Sequence, residues 1–336
     1  MKPMIDPLRL WLPGVRAACA PLLAIAAVAP LSGQQLHIGV ARADHVVLAR
    51  QVGVQPLGKG LLLHRFETVE AFGEGAPQRF SIPIATEISD QPRPAPTSVR
   101  LCCLRDRRDN GDLPERFGPY FDLTGYRGDH VAVDDEADRT GVRELVDVLR
   151  RAAEGRRPAD SAGDLARLVL RGTGPARREA AEVLRSRTVL RDALSRLEQD
   201  SLLTLAVGET EDVDLKVSVA SLAVECNGET ALAAVVPALR TCHDPSYALA
   251  LGRLARFVHG TEADDAIAPM VGTLRGPARD AGLIAIGATR TDGALERLEA
   301  IRERDGSSDA LIAALRAHGS TAALKMAEAD AKERKR

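Results

Sequence analysis

Between residues 176 and 315, apolar and small side chains return at helical spacing in a short phrase that occurs five times. The first copy reads Ala176-Arg177-Arg178-Glu179-Ala180-Ala181-Glu182-Val183-Leu184. The others lie at Lys216 to Leu222, Ala248 to Leu254, Asp280 to Ile286 and Asp309 to Leu315. One matching position carries Ala181, Val219, Leu251, Leu283 and Ile312, and a second carries Leu184, Leu222, Leu254, Ile286 and Leu315. The copies are offset by roughly 38, 32, 32 and 29 residues, the length of a two-helix repeat. One helix pair cannot bury its apolar stripe alone, whereas stacked pairs share a continuous core. The pattern therefore predicts an α-solenoid, an α-α superhelix, over residues 164–320.

Its first helix opens at Leu165, Leu168, Val169 and Leu170, and a long amphipathic helix is predicted over Thr188 to Ala206. Predicted pairs follow at Asp212 to Cys226 with Glu229 to Cys242, Ser246 to Val258 with Asp264 to Leu274, and Ala278 to Ala288 with Gly293 to Arg304. Asp309 to Ala317 and Ala322 to Ala331 close the array. Gly172-Thr173-Gly174-Pro175 and Arg275-Gly276-Pro277-Ala278 mark equivalent turns, with proline near the favoured first helical position.

Residues 37–135 read differently. Short β-rich runs at His45 to Val54, Leu61 to Phe72, Arg79 to Ile84, Ser98 to Arg105, Tyr120 to Leu123 and His130 to Val133 are separated by Gly, Pro and charged turns. No stretch between them is long enough for a helical crossover, so the strands are antiparallel and build a small barrel or sandwich. Val142, Leu145, Val146, Val148 and Leu149 then recur at helical spacing. Residues 136–163 are read as this helix and a bent connector with Gly155, Pro158 and Gly163, and residues 321–336 as a charged tail.

The N-terminus adds a location. Lys2, Arg9 and Arg16 precede an apolar run from Ala17 to Leu31. Such a run fits a secretory h-region and falls short of the about 20 residues a membrane helix needs. Residues 1–33 are therefore read as a signal peptide, or as an anchor if uncleaved, with candidate cleavage points at Ala27-Val28-Ala29, near Gly33 and at Ala41-Arg42-Ala43. A periplasmic or secreted protein is expected. In an oxidising compartment Cys226 and Cys242, which end consecutive predicted helices, form a possible disulfide, with buried free thiols the alternative. Cys102 and Cys103 are neighbours on one strand and face opposite ways.

Composition removes several function classes. The chain has 336 residues, a 45% hydrophobic fraction, a 3% aromatic fraction and a net charge of -2. A near-neutral chain sets up no field for nucleic acid or a membrane surface. The sequence contains no Gly-x-Ser-x-Gly, His-Glu-x-x-His or Cys-x-x-Cys. Gly172-Thr173-Gly174 lacks the Lys-Ser/Thr of a phosphate loop. Arg127-Gly128-Asp129 spells an adhesion tripeptide with no supporting context. Asp129, His130, Asp134, Asp135 and Asp138 read as a solvated acidic connection, and His243 and His259 as helix-end residues. No catalytic residue, cofactor, metal or small-molecule substrate is expected.

Two resemblances follow from these residues. Asp212-Val213-Asp214-Leu215-Lys216-Val217-Ser218-Val219-Ala220-Ser221-Leu222 and the Gly-Pro-Ala-Arg runs at 174–177 and 276–279 resemble the phrase that opens the second helix in HEAT/armadillo-like repeats. The Ser246 copy departs, with Ala248 at the basic position. Ala43 to Val52, Leu63 to Phe72, Leu101 to Leu104 and Gly125-Tyr126-Arg127-Gly128 resemble the OB-like barrels of exported proteins, a plan shared by tissue-inhibitor-of-metalloproteinase and netrin-like domains. The inhibitor family's cysteine framework is absent. The first resemblance implies protein binding on the helical-repeat surface, without enzymatic activity. The second implies an accessory or inhibitor-like subunit acting through the β-domain.

Overall fold

The structure is a computed structural model that describes residues 32–58, 60–85, 99–107, 113–124, 131–133, 135–209 and 212–334. The apolar N-terminal run, the Arg127-Gly128-Asp129 tripeptide and Asp129, His130 and Asp134 of the acidic cluster lie outside the described residues. Within them the chain is mixed α and β, with an antiparallel sheet first and helices after it.

A helix, α1 (Ser32–Arg42), comes before the sheet and was not anticipated. Leu36 and Val40 on its inner face are buried against later helices. Cleavage at Ala41-Arg42-Ala43 would remove both from the core. The strands are β1 (His45–Gly58), β2 (Leu61–Ala71), β3 (Arg79–Ala85), β4 (Val99–Asp106), β5 (Phe121–Leu123) and β6 (Ala132–Val133). Their order is β3-β2-β1-β4-β5, with β6 also on β4.

The sheet is open, whereas the sequence reading expects a barrel or sandwich. Its two edges touch at one point, where Ser81 N donates to Pro119 O at 3.0 Å and Ser81 Oγ to Phe117 O at 2.6 Å. A continuous ladder there fails because β5 is three residues long and Pro119, just before it, offers no amide donor. The curled inner face packs Val47, Ala49, Phe66, Phe80, Ile82, Cys102, Leu104 and Phe121, with the Phe66 and Phe80 rings stacked 5.2 Å apart. The outer face places Val46, Leu48, Leu101 and Cys103 in the core that runs on into the helices. Cys102 and Cys103 thus face opposite ways, and β1 from Val46 to Ala49 and β4 from Val99 to Leu104 are buried on both sides.

Helices follow at α2 (Glu136–Ala153), α3 (Pro158–Arg171), α4 (Gly174–Ser186), α5 (Arg196–Val207), α6 (Val213–Val235), α7 (Pro245–His259), α8 (Ala263–Val271), α9 (Gly276–Thr289), α10 (Asp292–Asp305), α11 (Asp309–His318) and α12 (Thr321–Glu333). The five phrase-bearing helices, α4, α6, α7, α9 and α11, touch one another in that order. The others lie alongside: α3 on α4, α5 on α6, α8 on α7 and α9, α10 on α9 and α11, and α12 on α11.

Local chemistry moves some boundaries. The expected Thr188 to Ala206 helix is split into a single turn, Thr188–Arg191, and α5. Ser195 accepts from the Glu198 amide and the Glu198 side chain bonds back to the Ser195 amide, a capping box that restarts the helix. The expected connector is shorter, because Gly163 lies inside α3. α6 runs through the break between the two expected helices, and Gly228 takes the kink at φ 54°. Pro237 then tightens the chain into a 3-10 turn, Val236–Arg240. Val213–Arg240 is long and apolar enough to cross a membrane, but over half of its apolar window is buried in the protein.

Polar contacts join α4 and the turn after it to α6. Arg178 reaches Asp214 at 3.1 Å, Ser218 donates to Glu182 at 2.7 Å, and Arg191 reaches Glu225 at 2.5 Å. Within this cluster Glu179 is buried, and its Oε2 has no hydrogen-bond partner among the described residues. Burial first, and then the Glu182 charge, push its carboxyl up to about 8. The folded state therefore holds a proton that the unfolded chain releases near its ordinary pKa of about 4.3, so stability falls as pH rises from there to about 8 and is level above. Glu179→Gln is expected to remove that slope. Melting temperatures of the two proteins should match near pH 4 and diverge up to pH about 8, with the variant higher; parallel curves would refute it.

Candidate functional site

A groove of about 830 Å³ lies where α8 and α10 flank α9. Val271 from α8, Leu283 and Ile286 from α9 and Ile301 from α10 supply an aliphatic floor. Ala268, Gly272 and Ala300 line the gap with side chains too small to fill it. Four arginines, Arg275, Arg279, Arg297 and Arg304, line the same space with one acidic residue, Asp305.

Their partners divide the groove into two ends. At one end Arg297 donates to Asp264 Oδ2 at 2.9 Å and also bonds Asp265. Asp264 is buried and accepts from Thr291 Oγ1 at 2.6 Å, while Thr291 caps α10 through the Ala294 amide at 3.0 Å. Burial by itself would raise the Asp264 carboxyl, but the bonds from Thr291 and Arg297 outweigh it and hold the group below its usual range. This end is a structural clamp between the starts of α8 and α10.

At the other end, cationic groups outnumber carboxylates. Arg304 Nε and Arg279 Nη2 both bond Asp305, at 2.7 and 2.5 Å. Arg304's hydrogen bonds first, and then Arg279's, hold the Asp305 carboxyl down to about 2. Arg275 donates to the Gly272 and Leu274 carbonyls at 3.2 and 2.8 Å, and no described carboxylate bonds it. One carboxylate thus serves two of the three guanidinium groups, and the third, Arg275, has only backbone carbonyls. α9 starts here, at Gly276-Pro277, with no side chain capping its first turn.

The structure disperses the residues singled out from sequence. Cys226 lies just ahead of the Gly228 kink and Cys242 just after the 3-10 turn; both are free thiols. Burial pushes Cys226 up to about 11, so it is a thiol at neutral pH. Asp135 caps α2 through the Asp138 amide, and His259 ends α7 with Nδ1 3.9 Å from Glu229. None of them lines the groove. Among the described residues no group of three or more His, Cys, Asp and Glu side chains is placed to hold a metal. The groove arginines went unnoticed because they come from one loop and two helices. The available signal was Arg275 with Arg279 and Arg297 with Arg304, at i,i+4 and i,i+7 around consecutive predicted helices.

No protein-family model, curated protein or solved structure matches the chain.

Proposed function

We propose that the chain is an exported, non-enzymatic protein-binding module that holds its partner in the groove flanked by α8, α9 and α10. The observation that carries this reading is the groove itself, an aliphatic floor under a cationic rim. A buried apolar centre with arginine at its edge is how protein surfaces concentrate binding energy. The helical array is read as a HEAT-like α-solenoid, supported by the five phrase-bearing helices touching in sequence order. Export is supported by the apolar run behind Lys2, Arg9 and Arg16.

The test uses full-length tagged protein and the Ala300→Trp variant, which fills the groove from an exposed position without altering charge. Proteins retained from the native envelope fraction are identified by mass spectrometry. The expected result is a protein retained by wild type and by Val54→Lys on the sheet, and lost with Ala300→Trp. Retention by Ala300→Trp together with loss in Val54→Lys would overturn the reading in favour of an accessory subunit acting through the β-domain.

A further inference from the structure

We infer that the groove takes an extended acidic segment of a protein partner, whose Asp or Glu carboxylates bind Arg275, Arg279 and Arg304 while its aliphatic side chains fill the floor. The inference rests on the protein-binding reading above and specifies the chemistry of the partner. Charge complementarity identifies the ligand. Arg279, Arg304 and Arg275 surround one end of the groove, and Asp305 is the only acidic residue in its lining. Guanidinium groups are planar forks that match a carboxylate through paired hydrogen bonds. Asp305 shows how such a group seats: its Oδ1 and Oδ2 receive Arg304 Nε and Nη2 at 2.7 and 2.9 Å. A side-chain carboxylate from a partner finds Arg275 with only backbone carbonyls to give up.

The floor decides between anions. Val271, Leu283, Ile286 and Ile301 give a free phosphate nothing to bind and cost nothing to a peptide that buries aliphatic side chains there. No aromatic ring lines the groove, so it offers nucleobases no stacking surface. At the far end Arg297 is already satisfied by Asp264 and Asp265, which leaves that end to the apolar part of the ligand.

The probe is a fluorescein-labelled twelve-residue peptide of alternating Glu and Leu, blocked at both ends, followed by anisotropy with the full-length protein. Controls replace Glu by Lys, or Leu by Ser, and inorganic phosphate is added as a competitor. The Glu-Leu peptide is expected to bind, weakening as salt rises, while the Lys-Leu and Glu-Ser peptides and phosphate fail. Arg275→Gln is expected to weaken binding by about tenfold, the effect of losing one hydrogen bond to a charged group. Asp305→Asn is expected to tighten it several-fold, because it releases Arg279 and Arg304 from their internal carboxylate. Far-ultraviolet circular dichroism confirms that each variant is folded. Equal binding of the Lys-Leu peptide, displacement by phosphate alone, or unchanged affinity in both variants would overturn the inference. If the Glu-Leu peptide fails while Ala300→Trp still loses a retained protein, the acidic ligand is wrong and the protein-binding reading stands.

Discussion

Replacing Arg302 by alanine is expected to lower the melting temperature by roughly 5 °C and to detach α12 first. Arg302 donates to Asp330 through Nε at 2.9 and 3.0 Å and through Nη2 at 2.6 Å, joining α10 to α12. Asp330 is fully buried, so removing the guanidinium strands a carboxylate away from water. Stranding one member of a buried pair costs about 3–5 kcal/mol, and the 37% exposure of the Arg302 side chain places this case below that range, at about 2 kcal/mol. By contrast, Arg334 pairs with an Asp309 side chain that is 88% exposed, so Asp309→Ala should cost under about 0.5 kcal/mol. Arg302→Met with Asp330→Leu should recover most of the loss, since apolar replacement of both partners removes the unpaired charge. Hydrogen exchange distinguishes this from a global effect. Amides of α12 should lose protection while those of α4 and α6 keep it, because α12 packs on α11 at the far end of the row from them. An unchanged melting temperature with full protection of α12 would show that the pair contributes nothing.

The row of helices was legible because its signal is repeated. Any one copy, such as Asp280 to Ile286, is too short to decide anything, but five copies at about 30-residue spacing cannot stack in many ways. The strands were legible from their alternation and turn residues. What escaped was decided by tertiary contacts or by single side chains. Among the described side chains of α1, Leu36 and Val40 are the buried apolar anchors, in a stretch that also reads as the end of an export signal. Whether the sheet closes depends on the pairing between β3 and β5, strands about forty residues apart, and no local pattern encodes it. The break after Arg191 was encoded, in Ser195 and Glu198, but the apolar periodicity across it hid the capping box. The groove lies further still from a sequence signal, since its charge balance depends on Asp305 meeting Arg279 from the preceding helix.

Gly287→Val is expected to destabilise the protein more than any exposed substitution. In an ordinary helix interior, glycine is the weaker choice, and Gly→Ala contributes up to about 1 kcal/mol. At Gly287 the sign reverses. An added Cβ on α9 would lie 3.0 Å from Ala314 Cα on α11 and closer still to the Ala314 carbonyl. Backbone cannot step aside as a side-chain tip can, so the two helices must separate. On α7, Gly252 stands in the same relation to Ala285 and Ala288 of α9, which makes α7, α9 and α11 a close-packed trio held together by small residues. Overpacking of this kind costs about 1–3 kcal/mol, and a β-branched side chain falls at the upper end. Gly287→Ala should therefore lower the melting temperature despite its better helix propensity, and Gly287→Val should lower it further. Gly163→Ala supplies the contrast: its nearest neighbour is the tip of the Glu198 side chain rather than backbone, so the change should cost less than Gly287→Ala, although that tip also caps α5 and has to shift. Thermal unfolding followed by circular dichroism decides the matter. If Gly287→Ala proves as stable as wild type, α9 and α11 do not pack at the distance that the recurring small residues of the repeat phrase permit.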